Sequence, residues 1–133
     1  MRSFIDSNLW IAAALRDGFT RRLVRGAMRQ GEVVTSPELV AEVKERLKSR
    51  INVPSFVVDA VARTMTVLCD FAQWTAEKPN ICRDPDDDQW LAQAEVSGCL
   101  YLVSNDMDLL VLGTFGAVRI ISPSAFASIL GVR

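Results

Sequence analysis

The 133-residue chain has no histidine. That absence excludes Ser-His-Asp and Cys-His nucleophile pairs, imidazole acid-base chemistry and Cys/His zinc sites. Cysteine is scarce: Cys69, Cys82 and Cys99 are odd in number and lack metal-ligand spacing, which reads as reduced, partly buried thiols rather than a disulfide framework. Long apolar runs are also missing. Half the residues are hydrophobic, yet no stretch approaches the roughly 18 consecutive apolar positions that a spanning helix needs. The start Met1-Arg2-Ser3-Phe4 does not have the layout of a secretory leader, so a soluble, cytoplasmic protein is expected. The chain shows no internal repeat, low-complexity tract or linker. Its length suits one domain over residues 1–133, able to bury about two-thirds of the surface its unfolded form exposes.

Net charge is close to zero, at −1, which argues against tight non-specific nucleic-acid binding. The distribution is uneven. Residues 1–50 carry ten Lys/Arg against six acids, and the remainder carries five against ten. A basic half beside an acidic pocket suits a polyanion held by its phosphates, although any single arginine is more simply a solvated helix charge.

Periodicity and punctuation predict alternating elements. Residues 2–5 read as a first strand, Asn8 to Leu15 as a helix, and Thr20 to Arg29 as a second helix stopped by Gly31. Val33-Val34 is a short buried strand. Ser36 as N-cap and Pro37 at the first helical position open a helix to about Arg50. Pro54 begins a long helical pattern through Val57, Val61, Met65 and Leu68 to Trp74. Lys78 to Asp86 reads as a loop, Asp87 to Ser97 as a helix, Leu100 to Val103 as a strand and Met107 to Leu112 as a short helix. Val118 to Ile121 is a last strand, followed by a helix from Pro123 to Leu130. Strands separated by helices predict an α/β fold with a mostly parallel sheet covered on both faces.

Asp6 and Asp106 each closely follow an apolar strand, so both point to the carboxyl edge of such a sheet, where ligands bind. On the helix from Pro37, Leu39, Val40, Val43 and Leu47 form one apolar stripe, and Glu42 lies at its margin. Glu38, in the first turn, is explained by the helix dipole. Among Asp84, Asp86, Asp87 and Asp88, Asp86 with Gln89 fits a capping box. Asp87 falls instead on the stripe of Leu91, Ala94 and Gly98 that faces the sheet, with Asp88 about 100° further round the helix. Carboxylates gathered there repel by roughly 4 kcal/mol per pair at about 4 Å and an effective dielectric near 20. A hard divalent cation removes that cost, and oxygen-only ligands suit Mg2+ or Mn2+ rather than zinc or copper. A metal-dependent phosphodiester hydrolase is therefore expected.

Taken in order, Phe4-Ile5-Asp6-Ser7-Asn8, Ser36-Pro37-Glu38-Leu39-Val40-Ala41-Glu42, Cys82-Arg83-Asp84-Pro85-Asp86-Asp87-Asp88-Gln89-Trp90-Leu91 and Tyr101-Leu102-Val103-Ser104-Asn105-Asp106-Met107-Asp108-Leu109-Leu110 resemble the motifs of PIN-domain ribonucleases. The likeness extends nearly end to end and is greatest to the VapC-like toxin components of type II toxin-antitoxin systems. It implies a three-layer α/β/α domain that binds Mg2+ or Mn2+ and cuts RNA. It places the four acids of the family on Asp6, Glu42, Asp87 and Asp106, with Asp88 competing for the third position as a metal ligand. Ser7 stands where the family commonly has threonine. Asn8, Ser104 and Asp108 take supporting roles, and Arg21, Arg22, Arg25 and Arg29 are candidates to hold RNA phosphates. The implied partners are an RNA substrate, a cognate antitoxin and a second copy in a homodimer, with no membrane. The antitoxin would wrap the apolar helices around Leu9, Trp10, Leu15 and Phe19. Two alternatives remain: a catalytically silent PIN-fold regulatory protein, or a haloacid-dehalogenase-like phosphatase, for which Asn8 stands where a second acid is wanted.

Overall fold

The computed structural model describes residues 1–133 apart from Arg16, Ile51 and 73–78. In chain order the elements are β1 (Arg2–Ile5), α1 (Ser7–Leu15), α2 (Gly18–Gln30), β2 (Glu32–Thr35), α3 (Pro37–Lys48), α4 (Ser55–Leu68), β3 (Asp70–Phe71), α5 (Pro85–Val96), β4 (Tyr101–Val103), α6 (Met107–Leu110), β5 (Thr114–Phe115), β6 (Val118–Ile121) and α7 (Pro123–Leu130). They form one six-stranded sheet in the order β3-β2-β1-β4-β6-β5. Only the β5–β6 pair is antiparallel.

The register fixes which side chains share a face. Phe4 pairs with Leu102 in β4, and Phe4 stacks on Trp90 of α5 at 6.1 Å between ring centroids. Tyr101, one residue away and therefore on the opposite face, meets Phe126 of α7 at 5.7 Å, and α2 packs against α7. Helices thus cover both faces of the sheet in an α/β/α arrangement. Phe4, Ile5, Leu102 and Val103 are fully buried between the layers, as expected for strands of a parallel sheet.

Local signals explain the helix starts. Asp17 accepts a hydrogen bond from Thr20 N and caps α2. Ser36 accepts from Leu39 N and caps α3, with Pro37 next. The acidic run departs from the expected arrangement: α5 begins at Pro85, with Asp84 as its cap accepting from Asp86 N. Asp86 is therefore inside the first turn and not at the cap, because proline favours the first helical position.

Two strands escape the periodicity argument. The helix expected from Pro54 to Trp74 stops at Leu68, and Asp70–Phe71 joins the sheet as β3 beside β2, with Ala72 N bonded to Thr35 O at 2.7 Å. Sheet pairing there overrides local helical pattern. Trp74 and Lys78, the expected limits of that helix and of the following loop, lie outside the described residues. The two-residue β5 forms through its hairpin with β6. No helix among the described residues is long and apolar enough to cross a membrane.

Strand order decides where a ligand can go. From β1 the chain proceeds to β2 and β3 on one side, then returns through α5 to β4 on the other side of β1. The carboxyl ends of β1 and β4 thus flank the point where the winding reverses. At such a switch the loops diverge and leave a crevice.

Candidate active site

Asp6 follows β1 directly, and its N–H donates to Val103 O at 3.1 Å. Its side chain is anchored from two strand ends. Ser7 N donates to Asp6 Oδ1 at 2.7 Å, and Ser104 Oγ, just past β4, donates to Asp6 Oδ2 at 2.7 Å. Ser104 Oγ in turn accepts from Asp106 N at 2.9 Å. One buried hydroxyl therefore ties the two flanks of the switch point together. Burial pushes the Asp6 carboxyl up from its ordinary range, the Ser104 and Ser7 bonds oppose that, Asp106 adds repulsion, and Arg46 lowers it.

Asp106 caps α6 with Oδ1, accepting from Asp108 N at 2.9 Å, and its charge is felt at both Asp6 and Asp87. Capping of α6 and a place beside Asp6 and Asp87 fall to the same side chain. Asp87 lies in the first turn of α5, buried like Leu91 and Ala94 on the same stripe. Its carboxyl is pushed up to about 7, first by burial, then by the charges of Asp106, Asp6 and Asp84. Asp6, Asp87 and Asp106 are thus brought together, close enough that each charge is felt by its neighbours.

Asp88, though equally buried, turns elsewhere. Its Oδ1 accepts from Ile81 N at 3.2 Å and Cys82 N at 2.9 Å, pinning the loop before α5. Those bonds account for its burial without a cation. The Cys82 thiol beside it is pushed up to about 12 by burial and then by Asp88, so it stays protonated.

Glu42 enters from α3. Oε1 lies 3.6 Å from Arg46 Nη2, and Oε2 is buried with no hydrogen-bond partner. Burial raises the Glu42 carboxyl, while the Ser7 hydroxyl and then Arg46 favour its charged form, against Asp86 and Asp6. Ser7 Oγ also sits 3.5 Å from Asp6 Oδ1. Asn8 is exposed and accepts from Arg46 Nη1 at 2.7 Å. Arg46 is the residue that sequence reasoning missed. Its signal was the i,i+4 spacing from Glu42.

The side chains of the other expected contributors have contacts elsewhere or none among the described residues. Asp108 pairs loosely with Arg83 at 4.0 Å. Arg21, Arg22, Arg25 and Arg29 are exposed, and none forms an ion pair among the described residues. Arg21 Nε donates to Ala13 O at 3.0 Å and Arg22 Nε to Arg133 O at 2.7 Å. Arg29 is near the end of α2, where Glu32 N bonds Met1 O, at the edge of the sheet opposite Asp6.

The donors suit a hard divalent cation. They are all oxygens, Glu42 presents an unpartnered buried one, and the raised carboxyl of Asp87 records a repulsion that a cation would relieve. Among the described residues, no group of three or more acids or thiols is placed so as to hold a metal ion. Like charges hold apart unless a cation or a proton comes between them, so ligation requires these side chains to move.

No curated protein shows significant similarity to the chain. A family model described as PIN domain matches residues 2–108, a span containing Asp6, Ser7, Glu42, Arg46, Asp87, Asp88, Ser104 and Asp106. With most of its length matched and a mostly parallel sheet that gathers acids at its switch point, the chain belongs to the PIN-domain family, whose members are generally metal-dependent nucleases.

Proposed function

We propose that this protein is an endoribonuclease that hydrolyses RNA phosphodiesters with Mg2+ or Mn2+, and that it acts as the toxin of a bacterial toxin-antitoxin pair. The observation that carries the nuclease reading is the meeting of Asp6, Asp87 and Asp106 at the switch point, with Asp87 raised to about 7. Asp6, Glu42, Asp87 and Asp106 are the catalytic residues in this reading and the ones that would hold the metal, with Asp88 restricted to loop anchoring. A divalent cation bound there supplies Lewis acidity, which lowers the pKa of water and neutralises charge developing at phosphorus.

The chain's own groups have distinct tasks. The Ser7 N–H and Ser104 hydroxyl keep the Asp6 oxygens aimed, which limits the reorganisation needed on binding. Asp87, whose carboxyl is raised by burial and by the charges of Asp106, Asp6 and Asp84, is the acid whose charged form a bound cation would stabilise most. Glu42 completes the acid wall from α3.

The toxin role rests on the sequence resemblance alone, and it implies a protein partner. A cleft of about 290 Å³ between α1, α2 and α4, lined by Trp10, Ala13, Val24, Met28, Val61 and Leu68, is a place for an apolar segment of an antitoxin or of a second copy. Of the residues expected there, Leu9 and Trp10 are buried in the core, and Leu15 and Phe19 are partly buried.

Purified protein with Mn2+ and single-stranded RNA tests the nuclease reading. Asp6→Asn should abolish cleavage, and unchanged cleavage refutes it. Growth arrest on expression, relieved by co-expressing the adjacent reading frame, tests the toxin role.

A further inference from the structure

We propose that Arg46 is the phosphate anchor of the acid cup, a preorganised guanidinium at its rim that receives the phosphodiester of the strand to be cut. The proposal rests on the nuclease reading and assigns substrate contact to a residue outside the acid set.

Four observations support it. Arg46 bridges two helices: its Nη1 is fixed by Asn8 Oδ1 at 2.7 Å, on the first turn of α1 two residues after Asp6. Its Nη2 faces Glu42 Oε1 at 3.6 Å, too far for a hydrogen bond. The arm toward Glu42 therefore retains donor capacity, and a guanidinium has five N–H groups in all. The side chain is 42% exposed, against 14% for Glu42, so the guanidinium is reachable from solvent while the acid beside it is not. Finally, Arg46 is the one basic residue among the chief electrostatic influences on both Asp6 and Glu42.

The chemistry follows from the charge balance. A phosphodiester approaching clustered carboxylates is repelled unless a fixed cation meets it. Guanidinium is the side chain suited to this, since its planar fork takes two phosphate oxygens at once. On α2, Arg21 and Arg22 are bonded to the carbonyls of Ala13 and Arg133, Arg25 lines the apolar cleft between the helices, and Arg29 lies toward the far edge of the sheet. An ordinary i,i+4 surface pair would need neither the Asn8 clamp nor proximity to Asp6.

The test compares wild type, Arg46→Ala, Arg46→Lys and Asn8→Ala, each checked for folding by circular dichroism. Cleavage of single-stranded RNA with Mn2+ gives kcat and KM, and anisotropy of labelled RNA with Ca2+ in place of Mn2+ gives binding without relying on turnover. Arg46→Ala should raise KM at least tenfold while kcat changes less than threefold. Lysine should recover part of the loss and Asn8→Ala should lose less than Arg46→Ala. Calorimetric Mn2+ affinity should be equal or tighter once the competing charge is gone.

Unchanged KM and RNA affinity in Arg46→Ala overturns the proposal. So does a kcat loss that tracks weakened Mn2+ binding, which would make Arg46 a prop for Glu42. A wild type that binds RNA through Arg46 but never cleaves it overturns the nuclease reading and leaves the anchor standing. A wild type that binds no RNA overturns both.

Discussion

Replacing Asp87 by asparagine should stabilise the metal-free protein at alkaline pH, the reverse of what loss of a buried polar contact normally does. In the fold this carboxyl titrates near 7 instead of 3.8, so the native state binds a proton that the unfolded chain releases earlier. The folded pKa is raised, hence stability falls as pH rises between about 4 and 7 and the loss is complete by about pH 8. At ~1.36 kcal/mol per pH unit, the full penalty is about 4 kcal/mol. Asp87 borders a crevice, and solvent screening should reduce this to about 1–2 kcal/mol. Asparagine carries no charge and can donate an N–H to Asp106. Thermal melting in EDTA should therefore show a Tm advantage for Asp87→Asn that widens steadily from about pH 4 and reaches about 3–8 °C at pH 8. Adding Mn2+ should invert the order, since saturation at about 100 times Kd stabilises wild type by about 2.7 kcal/mol and the variant has lost a ligand. A variant as pH-sensitive as wild type, or less stable at pH 8, would refute the account of mutual repulsion among Asp6, Asp87 and Asp106.

Other substitutions separate anchoring from chemistry. Asp88→Ala leaves Ile81 N and Cys82 N without their acceptor and should cost about 1–3 kcal/mol in urea unfolding, while Mn2+ affinity at the remaining acids changes little. Ser104→Ala removes both the donor to Asp6 and the acceptor of Asp106 N; a stability loss of about 1–2 kcal/mol together with weaker Mn2+ binding by calorimetry is expected. Gln93 is fully buried, and among the described residues its Oε1 has no partner and its amide bonds only the solvent-exposed Glu38. Gln93→Leu should therefore shift unfolding by less than about 1 kcal/mol in either direction.

Legibility in the sequence followed the physics of each element. Residues 2–5 and 101–103 are short apolar runs bounded by polar residues, and buried parallel strands look like that wherever they occur, so β1 and β4 were visible. With those strands placed, Asp6 and Asp106 had to share an edge. Caps were visible where chemistry is local, as at Ser36-Pro37. β3 was hidden because Asp70–Phe71 has no strand signal of its own; it exists through pairing with Val34 and Thr35, information held 36 residues away by the register. The α2 arginines show what a helical projection omits: Arg29 lies near the sheet edge opposite Asp6, and no projection registers which end of the sheet a helix face approaches.

The acidic run poses a subtler problem. Three consecutive aspartates at the start of a helix point about 100° apart in turn, so exactness of one residue decides which enters the cup, and the cap that sets the phase is itself chosen among acids. Asp84 takes that role through Pro85. That leaves Asp86 exposed, Asp87 toward Asp106, and Asp88 toward the loop it pins. Asp87 and Asp88 are alike in burial and differ in partner: backbone N–H groups meet one, other carboxylates the other. The first arrangement is complete as it stands; the second is tolerable only with a proton or a cation between the charges. In the proposed reading, a demand for something the chain does not itself provide assigns Asp87 to chemistry and Asp88 to structure; periodicity indicates which acid faces the sheet but not which partner meets it.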